Sequence, residues 1–423
     1  MNDQISLKTS SLKELWYGNH PDFKLCGEPR NALFKLPSNI LTYIGSLLSN
    51  EIPIAPAATA DQWHDFFALL KPHWIAPLLY WRIGSLPQEC LPPGEVNRQL
   101  RRTFHESRVR SLRLERQLGE ILDAFKTEGV RFLVLRGPAL GFSVYPDPAL
   151  RPGSDLDLLV LPKQTRKARK ILEDLGYGCL GKRFEVTRDF FREEEYVHKK
   201  HPKDNLPVDL HWVHWELHPF FKDCGGGRLE DLFRRASTVE KSDLAFETMH
   251  PVDALIHAAI HLALIHRRDI RLVWIYDIAL LARGLRIPED WEVLPDRSVT
   301  WRARLAVEHC LKMALVWTGL RLPDGFRNFN SWPRPTADER MTWSHSSRSH
   351  WAGVLLRRYL KRPGGVSAMA SSLFRLLFPH PQMVRMCYPP SRNWLLPLSY
   401  VRRWRRWFVE LVMKRIRASG QQV

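Results

Sequence analysis

Asp155 and Asp157 stand one residue apart, where Arg151-Pro152-Gly153-Ser154 runs into an apolar stretch, Leu158 to Leu161. That stretch reads as a buried strand with the two aspartates at its start. Strand side chains alternate faces, so both carboxylates should point one way and Leu156 the other. Like charges this close repel, and a cation between them would relieve the repulsion. Closely set oxygen ligands suit a hard divalent ion such as Mg²⁺ or Mn²⁺, which keeps several waters and shares phosphate oxygens. The chemistry this points to is metal-dependent phosphoryl or nucleotidyl transfer. The plainer reading is an Asp-capped turn ahead of a strand, and a D-x-D alone does not decide between them.

Three nearby features favour chemistry. Leu135-Arg136-Gly137 reads as a strand-to-helix turn. Gly137 lets backbone approach a phosphate, the helix N-terminus offers free N–H groups, and Arg136 adds a positive charge. Arg151 could grip a phosphate with two parallel hydrogen bonds. Ser154 could donate another, or simply shape the turn. Val208-Asp209-Leu210-His211-Trp212 then sets an acid among apolar residues on a later strand. Side chains opposed on neighbouring strands lie about 5 Å apart, and a lone buried Asp is costly. Asp209 is therefore expected to complete a three-carboxylate site for two metals with Asp155 and Asp157. One ion would hold a triphosphate and the other would lower the pKa of an attacking hydroxyl. Asp209 could instead act as general base. His211 is expected to support the ligands from behind.

The elements that must position these residues follow from periodicity and punctuation. Short helices are predicted over 62–70 and 75–83. A long amphipathic helix is predicted over 101–128, with apolar residues at three- and four-residue spacing and a stop at Gly129. Its arginines (Arg102, Arg108, Arg110, Arg113, Arg116) read as a solvated face. A strand over 130–135 leads to a helix over 139–144, with Pro138 at its first turn. A helix over 163–175 and two strands, 194–200 and 206–213, flank the turn 202–205. Later helices are predicted over 254–266, 273–283, 301–320, 351–360, 369–378 and 400–417. The fold class is α+β with an α/β core: a small mixed sheet flanked by N-terminal and C-terminal helical regions. The expected divisions are a loose leader, 1–30; a helical region, 31–100; the core, 101–235; a helical domain, 236–330; and a basic helical region, 331–423.

The chain has 423 residues and a formal charge of +18. Residues 331–423 hold 17 Lys and Arg against three acids, which accounts for +14 of it. Such an end attracts phosphate-bearing partners. The stretch 400–417, with Trp404, Trp407, Phe408 and Leu411 on one face, could lie on an anionic membrane surface or dock on the protein with its arginines outward. Stacking on nucleic-acid bases is a weaker expectation, since no RNA-binding signature accompanies it. No run of 18 or more apolar residues suggests a transmembrane helix, and the first residues lack a secretory pattern. The six cysteines are scattered, without C-x-x-C, and read as reduced thiols of a cytoplasmic protein. His257 and His261 lie one helical turn apart without the acid of an H-E-x-x-H motif. Packing, or hydrogen bonding to Asp277 or a nucleotide, suits them better than zinc.

The motifs Leu135-Arg136-Gly137, Tyr145-Pro146-Asp147-Pro148, Arg151 to Val160, Val208 to Trp212 and Trp274 to Ala279 together resemble a family of bacterial nucleotidyltransferases within the polymerase-β-like nucleotidyltransferase superfamily. The resemblance implies a small mixed sheet, a divalent metal on Asp155 and Asp157, a third acid at Asp209, and contacts to an NTP such as ATP near Gly137 and Ser154. It also implies transfer of a nucleoside monophosphate to an acceptor that the motifs do not name. Two features depart from the family: Arg136 stands where it usually has Lys, and the turn lies farther from the aspartates than in the wider superfamily. Two alternatives stand beside the enzyme. One is a non-catalytic, nucleotide-binding accessory protein of surface-polysaccharide assembly at the inner membrane face. The other is an RNA- or protein-binding regulator working through its basic tail.

Overall fold

Thirty-four residues of uninterrupted helix precede the sheet and bury an apolar stripe along one face. The computed structural model describes residues 36–54, 56, 58–180, 193–212, 229–241, 243–266, 270–344, 378, 396–402 and 404–405. In chain order the first helices are α1 (Ser38–Ser49), α2 (Ala60–Leu70) and α3 (Ala76–Ile83). Thr59 and Gln62 close a capping box on α2, satisfying backbone N–H groups that have no helical partner. Next comes the long helix α4 (Gly94–Thr127). It starts seven residues before the expected boundary, because Val96 and Leu100 extend its buried stripe back to Pro93.

The core follows as β1 (Phe132–Val134), α5 (Arg136–Ser143), β2 (Leu156–Val160), α6 (Thr165–Asp174), β3 (Tyr177–Cys179), β4 (Glu193–His198) and β5 (Val208–His211). After α7 (Leu229–Arg235), a hairpin of β6 (Ser237–Lys241) and β7 (Leu244–Thr248) returns to the sheet. The helices α8 (Pro251–Ile260), α9 (Leu272–Gly284), α10 (Glu289–Thr300), α11 (Arg304–Thr318) and α12 (Ala337–Ser344) complete the described elements. The seven strands form one mixed sheet in the order β3-β4-β5-β2-β1-β7-β6. β2 lies near its middle, antiparallel to β1 and parallel to β5. All five β2 residues are buried, as a strand covered on both faces requires.

The helices before and after the sheet do not form cores of their own. Ile44 of α1, Leu79 of α3, Leu135 and Leu159 of the sheet region, Tyr276 of α9 and Trp317 of α11 belong to one apolar cluster. By internal contacts, residues 1–178 and 193–349 form one compact unit, and residues 179–192 with 350–423 form a second. In the second unit residues 396–402 and 404–405 are helical. There Phe378 packs edge-on against Trp404, with ring centroids 5.2 Å apart. The expected helix 351–360, nearly all of 369–378, most of 400–417 and the leader 1–30 lie outside the described residues. Among the described residues no helix is long and apolar enough to cross a membrane.

The elements that sequence patterning missed were β3, α7, the β6–β7 hairpin, α10 and α12. In the hairpin Val239, Leu244, Phe246 and Thr248 are buried, alternating with exposed or half-buried residues. In α10 a proline at residue 295 stands inside the helix, a position that normally reads as a break.

Candidate active site

The ladder between β2 and β5 places the two central acids side by side. In this parallel pair Asp157 is the register partner of Asp209, and Leu159 that of His211. Asp209 and His211, two residues apart, share a face. A side chain as long as histidine can reach the diagonal neighbour across a strand pair. It does so here: His211 Nε2 lies 2.9 Å from Asp157 Oδ1. Ligand atoms of Asp157, Asp209 and His211 all fall within 4.8 Å of one another.

Asp155 does not belong to this group. It stands one residue ahead of β2, outside the ladder that fixes Asp157, and is half-buried. Its carboxylate nonetheless feels its neighbours. Burial and the charge of Asp157 push its pKa up, against Arg136, a hydrogen bond from Ser154 and Arg151. Asp157 moves the other way. Burial would raise its pKa, but the Arg136 charge and the His211 hydrogen bond outweigh that and hold the carboxyl below its usual range. The environments of two adjacent carboxylates thus part their protonation behaviour, as happens where carboxylates divide roles.

Arg136 is placed by the backbone. The N–H of Leu135 donates to the carbonyl of Asp157 at 3.0 Å, extending the β1–β2 ladder into the turn. The next residue, Arg136, adopts φ +51°, a region that non-glycine residues enter at a cost and mostly at functional sites. From there its Nη2 reaches Asp157 Oδ1 at 2.9 Å. Its guanidinium therefore neutralises the carboxylate expected to bind metal.

Arg151 turns away from the acids. Its Nε and Nη2 each donate at 2.8 Å to the two oxygens of Asp277 on α9, and its Nη1 donates to the carbonyl of Pro152. Tyr145 donates to the same carboxylate at 2.7 Å. The whole network is buried. The expectation that Arg151 grips phosphate is corrected on this point: its fork is taken by a carboxylate of matching geometry. A lone acid in the apolar run of α9 was the readable signal for such a partner, since a buried charge must be paired. Gly137 is buried in the first turn of α5, and a Cβ there would sit 3.4 Å from Arg151 Nη1. Ser154 is exposed.

The long helix props the loop that carries these residues. Ser107 donates to the carbonyl of Ala149, Arg108 pairs with Asp147, and Arg110 donates to the carbonyl of Gly153. Farther along, buried Gln117 exchanges two hydrogen bonds of 2.8 Å with the backbone of Leu206. The N–H of Leu156 donates to the carbonyl of Pro207. Arginines expected only to face water thus hold the approaches to both acid-bearing strands. His214 and His218 lie outside the described residues.

A mixed sheet with acids at one register position on two adjacent parallel strands, next to a strand-to-helix turn, is the arrangement expected of a nucleotidyltransferase. Residues 59–319 match the family model described as uncharacterised nucleotidyltransferase, and the chain belongs to that family of enzymes. Among curated proteins none matches it. Among solved structures it is similar to the lincosamide antibiotic adenylyltransferase LnuA in its lincomycin-bound form. The two are 19% identical over 41% of this chain and 98% of that one, with a TM-score of 0.28. It is also similar to the antibiotic-resistance factor ANT(2'')-Ia, 13% identical over 45% of this chain and 94% of that one, with a TM-score of 0.32. Likeness at these scores carries nothing about substrate.

Proposed function

We propose that this nucleotidyltransferase moves a nucleoside monophosphate from an NTP to the hydroxyl or phosphate of an acceptor, releasing pyrophosphate, with Mg²⁺ or Mn²⁺ at Asp157 and Asp209. The observation that carries the reading is the parallel register of those two acids, with ligand atoms inside a 4.8 Å group. Two carboxylates suit such an ion, while His211, already hydrogen-bonded to Asp157, steadies one of them, as partners of ligating carboxylates do. When bound, the metal would neutralise the triphosphate and activate the attacking oxygen.

The protein's own groups do the rest. Arg136 and the N-terminus of α5 receive the triphosphate's charge. Asp209, half-buried where Asp157 is fully enclosed, completes the metal site or accepts the acceptor's proton. Asp155, half-buried beside Asp157, would be a further ligand to such an ion, and Ser154 and Gly137 would border the phosphates. Such a reaction belongs in the cytoplasm, where NTPs are abundant. The carboxylates predict the outcome of a direct assay. Pyrophosphate release from an NTP panel with Mg²⁺, followed by mass spectrometry of products, should show turnover that falls at least 1,000-fold in Asp157→Asn and Asp209→Asn (on the order of 4 kcal/mol of lost transition-state stabilisation). Equal turnover in either variant, with unchanged thermal unfolding, excludes this site.

A further inference from the structure

Arg136, which pairs with Asp157, also lines a recess whose wall contains neither Asp157 nor Asp209. Its wall includes Arg136, His257 and His261 of the α8 region, Trp274, Ala258 and Met249. Its volume is about 40 Å³. At about 10–15 Å³ per water on this measure, it holds about three waters. That is room for a phosphoryl group and far too little for a nucleoside.

Among the polar groups of a partly apolar wall, positive charge outnumbers negative, Arg136 and Arg151 against Asp277. Asp277, the acid in it, is bound by Arg151 through two hydrogen bonds. Arg136 brings a permanent positive charge. His257 and His261 stand one helical turn apart, and α8 ends in a π-helical turn over His261–Ile265, a distortion common at functional sites. His261 is fixed by rings: its centroid is 4.4 Å from that of His266 and 4.7 Å from that of Trp274. Arg271 stacks over Trp274 at 4.8 Å, adding a second cation behind the aromatic wall. Burial first, and then Arg136, lower the pKa of both His257 and His261. Two neutral imidazoles beside an arginine form a cavity prepared for an anion, whose charge would favour hydrogen-bond donation from every group in the wall.

We infer that Arg136, His257 and His261 form a phosphoryl subsite that takes the terminal phosphoryl of the NTP, and one half of pyrophosphate after transfer. This rests on the nucleotidyl-transfer reading above and adds the residues that receive the leaving group. Arg136 would then serve both parts of the reaction, pairing with Asp157 and lining the recess for the departing phosphate.

The test is calorimetric binding to the full chain without divalent metal, so that it does not depend on turnover. The probes are inorganic pyrophosphate, orthophosphate, ATP and AMP. Pyrophosphate and ATP should each bind at least tenfold more weakly to His261→Gln and to His257→Gln than to the parent, while AMP, lacking the terminal phosphoryl, should differ less than twofold. Ala258→Leu, which fills the recess and removes no polar group, should weaken pyrophosphate in the same way. It keeps the test open if either histidine variant unfolds. Equal weakening of orthophosphate would identify a subsite for a single free phosphate as well as for the NTP's end, and would still support it. No pyrophosphate binding to the parent, or unchanged binding in folded His261→Gln and Ala258→Leu, overturns it. A parent that binds pyrophosphate but turns over no NTP would leave the subsite standing and remove the catalytic reading instead.

Discussion

Arg136 combines two opposed energies in one residue. Its left-handed backbone, φ +51°, costs about 1–2 kcal/mol for a side-chain-bearing residue. Its contact with Asp157, whose side chain is 3% exposed, protects a buried charge, and removing one partner of such a pair costs about 3–5 kcal/mol. The ion pair should win. Arg136→Gly relieves the backbone yet should destabilise the metal-free protein by about 2–3 kcal/mol. In the Asp157→Asn background the same substitution should be neutral or stabilising, because the charge it uncovers is gone. Urea unfolding of the four proteins of this cycle measures both numbers. A parent no more stable than Arg136→Gly would show that the guanidinium contributes nothing to holding Asp157.

Arg151, Asp277 and Tyr145 join the loop before β2 to helix α9 through a buried network. Asp277→Ala should cost about 3–5 kcal/mol by stranding the guanidinium, whereas Arg151→Met with Asp277→Leu should recover most of it. The urea midpoints at constant slope would report this, and a single variant as stable as the double would refute it. The acids of the sheet and the arginine of this network differ in how far they could be read from the sequence. Asp157 and Asp209 were legible because each sits in an apolar strand, and a period of two fixes which neighbours share their face. Arg151 was not, because its partner is 126 residues away and no local pattern carries that distance; the bare type of an arginine beside Asp155 suggests phosphate equally well. The same limit hid the Arg136–Asp157 contact, which depends on a backbone angle that residue type does not announce. Strand β2 and the long helix, by contrast, were legible in kind and displaced only at their ends.

Among the described residues many buried charges are paired with a neighbour, as in Arg136–Asp157, Arg151–Asp277 and Arg297–Asp253. One exception is Glu339 of α12. Its carboxylate accepts a hydrogen bond from the N–H of Leu305, at the start of α11. Burial outweighs that contact and the nearby Arg304, and pushes its pKa up to about 7. A carboxyl whose folded pKa is raised stabilises fully below its unfolded value, near 4.5, and loses that contribution as pH climbs through 7. The native protein should therefore lose up to about 3 kcal/mol between pH 5 and pH 8.5, and Glu339→Gln should lose much less. Parallel urea titrations at pH 5, 7 and 8.5 decide it; identical pH slopes would mean the carboxyl is not held in its protonated form.

Helix α4 meets the loop before β2 at Ser107 and Arg110, and the turn before β5 at Arg113 and Gln117. It behaves as a ruler laid across both approaches to the acids, with marks set by a rise of about 1.5 Å and a turn of about 100° per residue. Inserting or deleting a single residue between positions 107 and 117 would swing one set of props a quarter-turn away from its loop while leaving the other in place. Kindred chains can exchange residues freely along the outer face of this rod, but they cannot change its length there without pulling the two carboxylates out of step.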